Sequence, residues 1–407
     1  MQASGLPPEL CDAIIDELRE DKKSLLQISL TCRALCPRTR VHLFHAVTLL
    51  GKSCCDRLCA LITLSPTLAL HFKSLRINWR IRNWNRNHLE NYEPLTVIES
   101  LVGVTDLYLA LDDWGRLPDA VASSLQSCSY RNLSIGGYCT FASMGEFCLL
   151  LQNSPGLEQV SFSCKNIPPM LCDQDRSLHG TPAPSTLRII DYQDTTSVPS
   201  ERPRSLLTLA ISSHPCPFSF CNIRTLTVCL SGPSTMFLED LRKYLALPST
   251  SLKHFCVIHG FRPVWSHRGS PLASLDVSDI ESIEIRVYRD RPLFLNPGTL
   301  DILRWWISNF SSTDKRNIIR SLTFTNFTSI SFPRKEERST LDQEDLWMRL
   351  NDCLTSYKMG SLERLAITFD QRPAKWNMLK AQVEANFQGL KKSGCEVILD
   401  VVTREKN

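Results

Sequence analysis

"FKSLRI", residues 72–77, sets an apolar residue, two others, an apolar residue, one other and a third apolar residue in order. The order returns as "VTDLYL" (104–109), "YRNLSI" (130–135), "LEQVSF" (157–162), "LRIIDY" (187–192) and "IRTLTV" (223–228). It continues in "LKHFCV" (252–257), "IESIEI" (280–285), "IRSLTF" (319–324) and "LERLAI" (362–367). Apolar residues two apart lie on one face of a strand, so each hexad reads as a short strand with one buried face. Successive hexads start 26 to 43 residues apart, which makes the repeat real but irregular.

Helix-like stretches fill several of the gaps: "LPDAVASSLQS", "FASMGEFCLLLQNSP", "STMFLEDLRKYLALP", "GTLDILRWWISNF" and "DQEDLWMRLNDCLTSY". Strand alternating with helix predicts an α/β chain with short parallel strands. The hexad and its period resemble the leucine-rich repeat, which implies an irregular solenoid in which each unit buries its apolar edge by stacking on the next. Where that repeat usually carries Asn or Cys, this chain has Arg80, Asp112, Tyr138, Lys165 and Ser231. A conventional α/β domain would alternate strand and helix in the same way. The segments 166–186, 195–205 and 331–340, rich in Pro, Ser and charge, read as loops or insertions.

The 407 residues suit two domains, or a small module joined to a long repeat array, and the boundary is placed at residue 50. A net charge of +4 is too mild to argue for nucleic acid or a membrane surface. No apolar run nears the roughly 20 residues that span a bilayer. Glu9, Asp12, Asp16 and Glu17 interrupt any leader-like start, so a cytoplasmic or nuclear protein is expected. The 17 cysteines are scattered, with no C-x-x-C pair, and read as reduced core fillers. Cys54, Cys55 and Cys59 form the tightest cluster, but no second ligand pair stands at finger-like spacing.

Residues 6–37, "LPPELCDAIIDELREDKKSLLQISLTCRALCP", form a different kind of region. Leu10, Ile14 and Leu18 recur at helical spacing, and Pro8 with Glu9 suits a helix start. A second helix follows Asp21, with Leu25, Leu26, Ile28, Leu30, Cys32 and Leu35 pointing several ways, until Pro37 limits it. About 40 residues of short helices make a marginal core. The surplus apolar surface is covered either by a partner, in the manner of helix-in-groove recognition, or by the rest of this chain.

Leu6, Pro7, Glu9, Leu10, Ile14, Ile15 and Leu18, followed by Ile28, Leu30, Cys32 and Arg33 in "ISLTCRAL", resemble an F-box over residues 4 to about 48. The resemblance implies a three-helix module that docks on a Skp-family adaptor, and through it a cullin. The chain would then be the substrate-recognition subunit of a ubiquitin ligase, with no bond chemistry and no cofactor of its own. At matching positions Leu6, Pro7, Leu10, Ile14, Leu18, Cys32 and Leu35 would contact or support the adaptor. Leu35 stands where the family often has a large aromatic, which motivates an alternative: an interaction scaffold not engaged with a ligase.

Hexad residues between the apolar anchors would face an unknown protein target. They are Arg76, Asn78, Tyr108, Ser134, Ser161, Ser163, Asp191, Gln193, Thr227, Glu284, Arg286, Thr323 and Thr325. "RINWRIRNWNRNH" adds Arg80 and Arg82 and interleaves arginines with tryptophans, the composition of a single-strand nucleic-acid or acidic-peptide platform, or of a solvated edge. No P-loop, G-x-S-x-G, H-E-x-x-H or dinucleotide turn is present. His179, His214, His254 and His259 lack partners at diagnostic spacing, and Asp112–Asp113 and Asp342, Glu344 and Asp345 suit solvent. An enzyme of another type is the third reading.

Overall fold

A computed structural model describes residues 7–79, 92–136, 139–163, 182–191, 207, 211, 219–230, 235–247, 250–260, 274–287, 298–312, 315–328, 339–370 and 376–401. The chain is α/β, and it divides into two compact units near Val160 and Ala183.

The first unit opens with α1 (Pro8–Glu17), α2 (Lys22–Thr31) and α3 (Cys36–Leu43). Then come β1 (Ala46–Leu49), α4 (Lys52–Leu64), β2 (Ser74–Trp79), β3 (Asp106–Leu111), α5 (Asp119–Ser127), β4 (Asn132–Ile135) and α6 (Met144–Gln152). Short 3-10 helices, Pro66–His71 and Glu93–Ser100, precede β2 and β3. β5 (Gln159–Ser163) lies at the division.

The second unit contains β6 (Thr186–Asp191), β7 (Thr225–Leu230), α7 (Thr235–Leu245), β8 (His254–His259), β9 (Ser282–Val287) and α8 (Gly298–Ser312). It continues with β10 (Ser321–Thr328), α9 (Ser339–Thr355), β11 (Arg364–Asp370), α10 (Trp376–Asn386), α11 (Gln388–Lys392) and β12 (Glu396–Val401). Every described strand pair is parallel and joins strands consecutive in sequence, from β1 to β4 and from β6 to β12.

Nine of the ten hexads enter their strands in one register. Their fourth and sixth places are buried: Leu75 and Ile77, Leu107 and Leu109, Leu226 and Val228, Ile283 and Ile285, Leu365 and Ile367. These side chains face the helices, whose own buried residues include Val121, Leu125, Leu150, Leu241, Trp306 and Leu350. The intervening fifth place forms the opposite row, exposed or part-buried at Arg76, Tyr108, Thr227 and Glu284 but buried at Ser161, expected on the open face, and at Cys256, the register partner of Thr227 and Glu284. In β2, β7 and β9 the strand period of two thereby separates a packed face from a more open one, whereas β8 is buried on both faces after His254.

A shared backbone device accompanies the hexad. The carbonyl of its second residue accepts two amides from the next strand: Lys73 and Ser74 donate to His45, Thr105 and Asp106 to Lys73, and Arg131 and Asn132 to Thr105. The pattern recurs at Arg224, Lys253, Glu281 and Arg320, with N–O distances of 2.8 to 3.2 Å. A side-chain ladder is therefore unnecessary for pairing, since the main chain repeats the same bonds whatever residue occupies the place.

Three expectations change. Thr186 pairs with Thr225, so the fifth hexad begins three places earlier, at Pro184, and reads "PSTLRI". Arg188, not Asp191, then occupies the open row, while Asp191 stands opposite Leu230. Buried Pro184 takes the anchor place, where an apolar ring serves as well as an aliphatic chain. Two further strands, β1 and β12, carry the pattern unnoticed. "FHAVTL" (44–49) fits the hexad fully, and in β12 the first place is Gly394, at φ 90°, a conformation that glycine adopts without strain. Finally, Pro37 does not end the second helix. α2 stops at Thr31, Cys32 is extended, and Pro37 lies in the first turn of α3, where its missing N–H costs nothing. The loops expected at 195–205, most of 166–186 and most of 331–340 lie outside the described residues.

Candidate functional site

Among the described residues, each N-terminal helix contributes one buried side chain: Ile15, Leu25 and Thr39. Asp16 of α1 accepts from Arg38 Nε at 2.6 Å and lies 2.7 Å from His42 Nε2, tying α1 to α3. The Arg38 hydrogen bond, and after it that of His42, lowers the Asp16 carboxyl to about 2. Asp21 caps α2 by accepting from the Lys23 and Ser24 amides, both at 3.1 Å, and from Ser24 Oγ at 2.6 Å.

Around that small core, apolar side chains remain open. On α1, Leu10 and Ile14 keep 52% and 51% of their surface. On α2, Leu26 keeps 54% and Leu30 87%. Leu10 and Ile14 are one helical turn apart, as are Leu26 and Leu30, so each helix carries an apolar pair on one side. Pro7 and Cys32 are exposed, and Leu18 and Leu35 are part-buried. Leu6 lies outside the described residues. Leu26 and Leu30 were absent from the expected contact set, although their i, i+4 spacing on a helix otherwise rich in Lys, Gln and Ser could have singled them out.

The open face of the strands carries the residues expected to meet a target. Arg76 and Tyr108 are register partners, and the guanidinium lies 4.3 Å from the ring centroid, a cation–π stack. Beside them Asn132 Nδ2 donates to Asp106 Oδ1, and Asn78 stands opposite Ala110. In the second unit Arg286 forks onto Glu284, with Nε and Nη2 at 2.6 and 2.8 Å from the two carboxylate oxygens. Thr325 Oγ1 donates to the same carboxylate at 3.2 Å. Its own hydrogen bond to Glu284 raises the Arg286 guanidinium further. Arg80 and Arg82, with the rest of 80–91, lie outside the described residues.

Few groups suit covalent or acid–base chemistry. Burial pushes the thiols of Cys55, Cys148 and Cys256 up to about 11 and that of Cys139 to about 12, so they remain protonated and weakly nucleophilic near neutrality. His259 is fully enclosed, and desolvation lowers it to about 3; Trp306 Nε1 donates to its Nε2 at 3.1 Å. It occupies a packed row in which neighbouring strands place Leu230 and Val287. His254 is exposed, while His179 and His214 lie outside the described residues. Among the described residues no three His, Cys, Asp or Glu groups are placed to hold a metal ion. No helix among them is long and apolar enough to cross a membrane. No protein-family model matches this chain, and no curated protein matches it either.

Proposed function

We propose that this chain is a non-enzymatic substrate receptor of a cullin-RING ubiquitin ligase, with an F-box module on a divergent leucine-rich-repeat-like solenoid. The observation that carries the reading is the half-open set Leu10, Ile14, Leu26 and Leu30 on α1 and α2, beside one buried side chain from each described helix, Ile15, Leu25 and Thr39. A partner surface that covers those side chains gains on the order of 25 cal/mol for each Å² of apolar area removed from water. The receptor's contribution is proximity: it holds a target where a bound conjugating enzyme can reach it. Support for the solenoid comes from strand order. Consecutive strands pair at every described step, whereas open α/β sheets commonly reverse order at a switch point. Arg76, Asn78, Tyr108, Glu284 and Arg286 on the open face would contribute to target contact.

Co-expression with a Skp-family adaptor tests the proposal. The full chain retains the adaptor through gel filtration, and Leu10→Asp, Ile14→Asp and Leu30→Asp each release it while helical content stays unchanged. Retention by all three variants, or no retention by the wild type, refutes the receptor. The scaffold reading draws on part-buried Leu35, where a larger aromatic would extend the surface. It is favoured if the wild type fails to hold the adaptor and Leu35→Trp recovers it.

A further inference from the structure

The first and last described strands differ in length and in how their core-facing residues are covered. β1 pairs with β2 alone, is only four residues long, and its core-facing Leu49 is fully enclosed. β12 pairs over six residues with β11 and, among the described residues, with no other strand; its Val397, Leu399 and Val401 are all only part-buried. In earlier strands those places are sealed, as by Leu365, Ile367 and Phe369 in β11. Among the described residues, β12 also leaves backbone groups without a strand. Glu396 donates its amide to Glu363 at 2.8 Å, so by alternation Val397 and Leu399 turn their N–H and C=O groups away from β11. The Cys395 carbonyl holds the second hexad place, which accepts two amides from a following strand in most earlier strands and one, from Glu396, at Glu363; among the described residues it accepts none. The Val401 amide alone is closed, by Asp400 Oδ1 at 2.7 Å.

Long, part-apolar edges of this kind are templates for another strand unless lysine, proline or a bulge blunts them. β12, "EVILDV", has no Pro and no Lys, and its exposed charges, Glu396 and Asp400, are both acidic; Glu396 lies 3.7 Å from Arg364 Nε of β11 in an exposed pair. We infer that the free edge of β12 docks an extended segment of a partner protein as an added parallel strand. The occupant's chemistry follows from the register. Apolar residues at its first, fourth and sixth hexad places would extend the packed rows of Val397 and Leu399. Basic residues at its third and seventh places would stand opposite Glu396 and Asp400. The main-chain bonds supply attachment and these side chains supply selection. The inference is independent of what α1 and α2 bind.

The test uses the full chain and a fluorescein-labelled peptide, acetyl-Leu-Lys-Lys-Val-Thr-Val-Lys-Val-amide, read by anisotropy. Saturable binding is expected, with a composition-matched scramble bound at least about tenfold more weakly. The Glu396→Lys, Asp400→Lys double variant also breaks the Arg364–Glu396 ion pair and the Asp400–Val401 bond, so it is first shown to keep the wild-type unfolding temperature; it is then expected to lose the lysine peptide by a similar factor. It should gain the version with Glu at the third and seventh places. Backbone N-methylation of the peptide at alternate residues should abolish binding in one phase and spare it in the other. Equal binding of peptide and scramble, or indifference to the charge reversal, overturns the proposal. So does a sedimentation mass of two chains that returns to one in Leu399→Pro, because the edge would then belong to a second copy.

Discussion

The strands and the N-terminal helices use leucine and isoleucine to opposite ends. In β2, β7, β9 and β11 the fourth and sixth hexad residues are all 1% exposed or less, so their apolar surface is spent within the chain. In α1 and α2 the large apolar residues divide: Ile15 and Leu25 are enclosed, while Leu10, Ile14, Leu26 and Leu30 are half-open or more. Composition is similar in the two regions, and the partners available to each side chain are not. A strand meets its neighbour along its whole length, and helices then cover one face. Three helices of eight to ten residues cannot surround one another, so part of their surface is left for something else.

That contrast can be broken by substitution. Trp306→Ala, which opens the fully enclosed centre of the second unit, is expected to cost about 3–5 kcal/mol in urea unfolding. His259 comes next, through pH. Its folded value lies near 3 and its unfolded value near 6.5, so the unfolded chain takes up the proton first and stability falls as pH drops below about 6.5. The slope from this group is about 1.4 kcal/mol per pH unit down to about 3. His259→Gln, which keeps an acceptor for Trp306, should flatten the wild-type curve by that amount; equal slopes would show that the ring is not kept neutral. A smaller effect is expected at Asp16, whose lowered carboxyl holds α1 on α3 above about pH 4 and releases it as pH falls toward about 2. In Asp16→Asn, methyl resonances of Ile15 should lose that acid transition. Least of all, Leu30→Ser should move stability by no more than about 0.5 kcal/mol, since 87% of the side chain already meets solvent. A large loss there would mean that α2 is packed more tightly than its open residues indicate.

Most of the strands were legible because a period of two survives in a short window. The fifth hexad misled by three places because "LRIIDY" also satisfies the pattern, and a proline at 184 does not announce itself as an anchor. β1 was absorbed into the run that follows the helical module, and β12 was hidden by glycine where an apolar residue would ordinarily stand. The site was less readable. Leu10 and Ile14 were recognisable from spacing, yet exposure depends on what packs against a helix, and Leu26 and Leu30 show that spacing alone does not say which apolar residues are left over. The Asp16 cluster joins residues 22 and 26 positions apart, and the Arg76–Tyr108 stack crosses from one strand to the next. Pairings of that kind follow from tertiary register, which no local period encodes.

The carbonyl that accepts two amides links most of the described strands to the one made immediately before. Every such closure spans a few tens of residues, and none among the described pairs waits for the distant end of the polypeptide. Pairing can therefore advance in the direction of synthesis, each new strand finding its template already laid down as it leaves the ribosome.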